Sequence, residues 1–234
     1  KKIVFSGVGK TRSELIYAIE KNILLINCES KSEILEIERI AKLKKKKVDI
    51  GIRLNPNTDA KTLKQISTGK KENKFGINEK TFIEVSRYIK DSKFLNLKCL
   101  SVHIGSQILD HKPYQKMINV LDKLIKKMDF SFEYIDLGGG MGIDYKKDNK
   151  KFDFKKYNQI IKKFLVNHKS KIIFEPGRSI IGNTAILVSK ILYIKENSKK
   201  DFIILDAAMN DFMRPALYGA KHKIIPLKKN NKMT

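Results

Sequence analysis

Short apolar runs alternate with longer amphipathic ones along most of this chain. The short runs are IVFSG (3–7), ILLINCE (23–29), VDIGIRLNP (48–56), LKCLSVHIG (97–105), FEYIDLGGG (132–140) and KIIFEPG (171–177). Each is largely continuous in apolar residues rather than alternating, and breaks off at Gly, Pro, Ser or Asn. That is the pattern of strands covered on both faces. The longer runs carry apolar residues at helical spacing: SKSEILEIERIAKL (30–43), NEKTFIEVSRYIKD (78–91), KPYQKMINVLDKLIKKM (112–128) and FDFKKYNQIIKKFLVNH (152–168). In the first, Ser30 precedes Glu33 by three residues, the spacing of a capping box.

Repeated strand-then-helix units predict an α/β fold with a parallel sheet. Six such strands, with no GxGxxG after the first, favour a partial (β/α)8 barrel over a doubly wound sheet. After Arg178 the grammar changes. TAILVSKILYIKEN (184–197) and KKDFIILDAAM (199–209) are neighbouring apolar runs without a full helix between them, which predicts antiparallel β structure. We therefore expect a partial barrel over 1–182 and the beginning of a β-rich domain over 183–234. The tail KHKIIPLKKNNKMT carries no closing element, and the chain reads as an internal piece of a longer protein.

Composition changes this picture little. The net charge of +24 suggests nucleic acid, but only six of the 49 basic residues are arginine and the lysines are spread along the chain. No aromatic-basic recognition motif accompanies them, so a solvated basic surface is expected rather than a nucleic-acid site. No apolar run reaches the roughly 18 residues of a membrane span. Cys28 and Cys99 form neither a disulfide framework nor a metal-binding spacing, and a reducing cytoplasm without a metal site is the expectation.

Candidate chemistry sits where the barrel strands end, because the strand C-termini of such a barrel converge on one face. His103, Ser106 and Gln107 follow the fourth strand, Gly138, Gly139 and Gly140 the fifth, and Glu175, Gly177 and Arg178 the sixth. Consecutive glycines let backbone N–H groups point at one anion. Two adjacent strand ends with such donors suit a phosphate. A carboxylate facing a heteroaromatic nitrogen would hold that nitrogen protonated, and a protonated pyridine is a strong electron sink. Glu175 and the glycines thus point to pyridoxal 5'-phosphate. His103 reads either as a core histidine or as an imidazole facing the cofactor ring.

Five stretches carry a resemblance: ISTGKKENKFGI (66–77), SVHIGSQI (101–108), DLGGGMGI (136–143), EPGRSI (175–180) and DAAMNDFMRPALYGAKH (206–222). Together they resemble the diaminopimelate decarboxylases, barrel-type (fold III) pyridoxal-phosphate amino-acid decarboxylases. The resemblance implies decarboxylation of meso-diaminopimelate to L-lysine by the full-length parent, acting as a homodimer on a small amino-acid substrate. By the same resemblance His103 stacks on the cofactor ring and Glu175 pairs with the ring nitrogen. Ser106, Gly138, Gly139, Gly140 and Gly177 surround the phosphate, with Arg178 beside them. Arg178, Arg214 and Tyr218 bind substrate, two guanidiniums suiting a distal carboxylate.

Two departures qualify it. The family's Schiff-base lysine lies in a YAVKAN-like motif that nothing here matches, and its Cys-Glu proton-donating pair is also unmatched. CES (28–30) looks like that pair but closes an early strand, where Cys28 is expected to pack. No catalytic residue is therefore assigned, and the chain by itself is expected to be inactive. The alternatives are an ornithine, arginine or carboxynorspermidine decarboxylase of the same fold, and a non-catalytic cofactor-binding or basic scaffold protein. A barrel racemase is disfavoured, since such enzymes resemble this chain but place an arginine at the ring nitrogen.

Overall fold

A computed structural model describes residues 2–60, 68–69, 74–128, 130–145 and 151–227. Six strands, β1 (Val4–Phe5), β2 (Leu25–Cys28), β3 (Val48–Leu54), β4 (Leu95–Val102), β5 (Tyr134–Asp136) and β6 (Lys171–Ile173), form one sheet in sequence order. Every pairing between them is parallel. Helices α1 (Arg12–Glu20), α2 (Lys31–Leu43), α3 (Glu79–Lys90), α4 (Lys112–Met128) and α5 (Phe154–Asn167) make the crossovers. The sheet curls into a half-barrel with β1 and β6 at its edges. The continuous apolarity of β2 and β3 has the predicted consequence: all of β2, and all of β3 but Asp49, is buried.

The helices bury one stripe each against the sheet. Ile34, Ile37, Ile40 and Ala41 of α2 and Met117, Leu121 and Leu124 of α4 are nearly inaccessible, which is the burial that holds a surface helix in place. Ser30 caps α2 by accepting from Glu33 N–H at 3.2 Å. The carboxylate of Glu33 does not return to Ser30, however. It accepts from Glu29 N–H at 2.7 Å and from Lys10 Nζ at 2.6 Å. The complete reciprocal box belongs instead to Thr11 and Glu14 at the start of α1.

Beyond β6 come α6 (Arg178–Ile181), β7 (Ile191–Lys195), β8 (Phe202–Leu205) and α7 (Arg214–Tyr218). β7 and β8 pair antiparallel in a sheet of their own, as the change of pattern predicts. Every residue of both strands is exposed. No helix among the described residues is long and apolar enough to cross a membrane, and those residues hold no cluster of three or more His, Cys, Asp or Glu that could take a metal. Both cysteines are free and buried, Cys28 as a packing residue.

Candidate active site

The fourth, fifth and sixth strand ends are stitched together by the residues that the sequence singles out. Gly139 N–H donates to His103 Nδ1 at 3.1 Å, and Glu175 N–H donates to the Gly138 carbonyl at 2.9 Å. Arg178 Nε donates to Ser106 Oγ at 3.3 Å. Close approach explains the glycine run. A Cβ on Gly138 would lie 2.6 Å from the Val102 carbonyl oxygen and 2.7 Å from His103 Nδ1, and φ there is +62°. A Cβ on Gly139 would overlap the Glu175 carbonyl oxygen, and one on Gly140 the Gly105 carbonyl oxygen.

The expectation that several glycine N–H groups face one anion is narrowed by these bonds. Gly138 N–H is taken by Asp136 Oδ1 at 2.9 Å and Gly139 N–H by His103. The short loop must satisfy its own buried donors first. Gly177 takes a φ of −106°, which any residue adopts, so its backbone conformation does not require a glycine. Space around its Cα is open, with nothing within 4 Å of a Cβ built there.

His103 accepts a backbone hydrogen bond on Nδ1, so its remaining proton sits on Nε2. Burial, reinforced by the nearby Arg53 guanidinium, lowers its pKa to about 4. The ring is therefore neutral at physiological pH. Arg53 is buried, paired with Glu29 at 3.0 Å and stacked on Phe75 at 4.9 Å. Asn55 donates to the Phe75 carbonyl at 3.3 Å.

Asp136 lies directly below the glycines and is fully buried. Its Oδ2 accepts from Asn27 Nδ2 at 2.8 Å and Ser101 Oγ at 3.2 Å. Burial, together with the charge of Glu175, raises its pKa to about 7. Glu175 itself is exposed at the barrel mouth, where Oε1 accepts from Ser6 Oγ at 2.8 Å.

A second group converges beside Arg178. Its guanidinium carbon sits 5.8 Å from the centroid of the Tyr145 ring and its Nη1 donates to Tyr145 Oη at 3.0 Å. Arg214 lies 5.9 Å from the centroid of the same ring and 5.9 Å from that of Tyr218. His222 packs on Tyr145 at 5.3 Å, and burial, with both guanidiniums, lowers its pKa. Neither guanidinium has a carboxylate partner among the described residues. Tyr145 and His222 were not selected from the sequence. Tyr145 follows the glycine run by only five residues, and an aromatic so close to a strand end was the available signal. Of the stretch 66–77, only 68–69 and 74–77 are among the described residues.

The sequence profile described as "Pyridoxal-dependent decarboxylase, pyridoxal binding domain" matches residues 1–182. The diaminopimelate decarboxylase of Aquifex aeolicus is 41% identical over 231 residues, covering 97% of this chain and 55% of its own length. That of Helicobacter pylori is 44% identical over 228 residues, covering 95% and 56%. The crystal structure of the Helicobacter pylori enzyme complexed with L-lysine superposes with a TM-score of 0.92 at 42% identity, covering 97% of this chain and 58% of that one. The chain thus spans about half the length of the curated relatives it matches.

Proposed function

Because this chain belongs to the pyridoxal-dependent decarboxylase family, we propose that the protein containing it decarboxylates meso-diaminopimelate to L-lysine with pyridoxal 5'-phosphate. The residues present fit that cofactor. The glycine run leaves a floor without side chains, the space at Gly177 is open, and Ser106 and Arg178 bring a hydroxyl and a positive charge to the same edge. Bound there, the cofactor would supply an electron sink for the bond to the departing carboxylate.

The chain's own groups perform the remaining work. Ser106, Gly140 and Gly177, with Arg178, would hold the phosphate over the side-chain-free floor that Gly138 and Gly139 provide. Glu175 would accept a hydrogen bond from the ring nitrogen and keep that nitrogen protonated. His103, neutral and oriented by Gly139, would lay its imidazole against the ring. Arg178, Arg214 and Tyr218 would bind the substrate. The barrel unit on this reading runs through 1–182, and 183–234 opens a β-rich unit. The switch from parallel to antiparallel pairing after β6 supports the division. The protein would act as a homodimer, as the sequence resemblance implies.

The observation that carries the substrate assignment is the pair of guanidiniums on one tyrosine ring with no carboxylate partner among the described residues. Two converging cations call for an anionic ligand group, as the distal carboxylate of diaminopimelate provides. A diamine end would require an acidic partner instead. The test is lysine release from meso-diaminopimelate by the intact protein, with ornithine assayed in parallel. Lysine from diaminopimelate alone is expected, and Arg214→Gln should raise KM about 10- to 100-fold, as for loss of a charge-assisted hydrogen bond. Turnover of ornithine in place of diaminopimelate would overturn the substrate assignment.

A further inference from the structure

A polar chord crosses the mouth of the half-barrel between its two edges. It starts at Asp136 on β5, passes to Asn27 on β2 at 2.8 Å, to Ser6 just after β1 at 3.1 Å, and ends on Glu175 beyond β6 at 2.8 Å. Each step has a fixed direction. The two hydrogens of the Asn27 amide serve its two shortest acceptors, Asp136 Oδ2 and Ser6 Oγ. Ser6 Oγ, already accepting from Asn27, turns its single proton to Glu175 Oε1.

The chord is held by further groups. The side chain of Lys10, only 1% exposed, donates to the Gly7 carbonyl at 2.6 Å, the Asn27 backbone carbonyl at 2.7 Å and Glu33 Oε1 at 2.6 Å, which fixes the loop that carries Ser6. Gly51 on β3 leaves room for the Asn27 side-chain oxygen Oδ1, which a Cβ at that position would overlap. Glu175, by contrast, is exposed, and an exposed carboxylate on a flexible side chain samples several rotamers unless a partner selects one.

We propose that Ser6 is a positioning residue for Glu175: it engages one carboxylate oxygen and leaves the other free for the cofactor's ring nitrogen, while Asn27 and Asp136 fix the direction in which the serine hydroxyl donates. The proposal rests on the reading that Glu175 faces that nitrogen. Ser6 touches neither cofactor nor substrate on this account and acts only through the carboxylate.

The test uses the intact protein loaded with pyridoxal 5'-phosphate labelled with 15N in the ring. Wild type is expected to show the shift of a protonated ring nitrogen. Ser6→Ala should move that shift toward the neutral value and lower kcat about tenfold, the scale of one hydrogen bond to a charged group. Ser6→Thr, which retains the hydroxyl, should restore both. Asn27→Ala should give an intermediate shift, because the serine hydroxyl is then free to rotate. A protonated signal in Ser6→Ala identical to that of wild type would overturn the proposal. A wild-type protein that binds the cofactor with a neutral ring nitrogen, or does not bind it, would overturn the reading of Glu175 itself.

Discussion

His103 and Asp136 sit on neighbouring strand ends and titrate in opposite senses. The folded pKa of His103, about 4, lies below its unfolded value near 6.5, so between these pH values the unfolded chain binds more protons. Its contribution to stability is present above about pH 6.5 and is lost as pH falls toward 4. Asp136 is raised from 3.8 to about 7, so its contribution is present below about pH 4 and is lost as pH rises through 7. Each slope approaches ~1.4 kcal/mol per pH unit, and over the shared window they oppose one another. Asp136→Asn should therefore expose the histidine, with stability falling by about 3 kcal/mol from pH 7 to pH 4. His103→Asn should expose the aspartate and reverse the sign. Denaturant titrations at several pH values read both; a slope unchanged from wild type in Asp136→Asn would refute the assignment.

At the level of elements, the alternation of apolar and amphipathic runs made the sheet and four of its helices legible before any coordinates. Their lengths were less so. The run 132–140 reads as a nine-residue strand, yet only Tyr134–Asp136 pairs as one, because Gly138 and Gly140 take positive φ and leave the ladder. The brief α6 and α7 carry too few residues to show a period. Motif residues such as Glu175 and Arg178 were readable because chemistry is concentrated in a few letters. Ser6, Asn27 and Asp136 were not, since their meeting depends on the curl of the sheet, which no local pattern encodes. Helix caps fall between these cases. Ser30 was identified by spacing, while its Glu33 was drawn away by Lys10. Thr11 takes part in the full box, and Thr11→Ala should cost about 1 kcal/mol. Ser30→Ala should cost about as much, but Glu33→Gln should cost more than Glu14→Gln, because it leaves the buried Lys10 ammonium without its anion. Thermal or denaturant unfolding of the four variants ranks them; equal losses for the two glutamine variants would count against the distinction.

Across the whole molecule, burial is uneven. The half-barrel has a continuous core, whereas the β7–β8 ribbon shows Ile191, Tyr193, Ile194, Phe202, Ile203 and Ile204 to solvent. Contiguous apolar area of this kind ordinarily marks a surface that is covered by something else. Expressed by itself, the 234-residue chain is expected to bind an apolar fluorescent dye and to self-associate. Ile194 and Ile203 are cross-strand partners, so Ile194→Lys with Ile203→Glu should weaken both effects while leaving an opposite-charge pair across the ribbon. Dye fluorescence and sedimentation equal to those of the unaltered chain would place the sticky surface elsewhere.

The polar chord has a further consequence, for the order in which the protein is made. Neighbours in the sheet are neighbours in sequence, so each strand leaving the ribosome finds its partner already waiting. The chord departs from this rule, Asn27 meeting Asp136 across 109 positions and Ser6 meeting Glu175 across 169. Contacts of such separation are the last that a growing chain can make. Ser6 and Asn27 are synthesised early and Asp136 with the fifth strand, yet the carboxylate arrives only after the sixth. The nascent polypeptide can fold most of the half-barrel while this corner of the site stays unassembled, and Arg214 and Tyr218 of the proposed substrate site are synthesised later still.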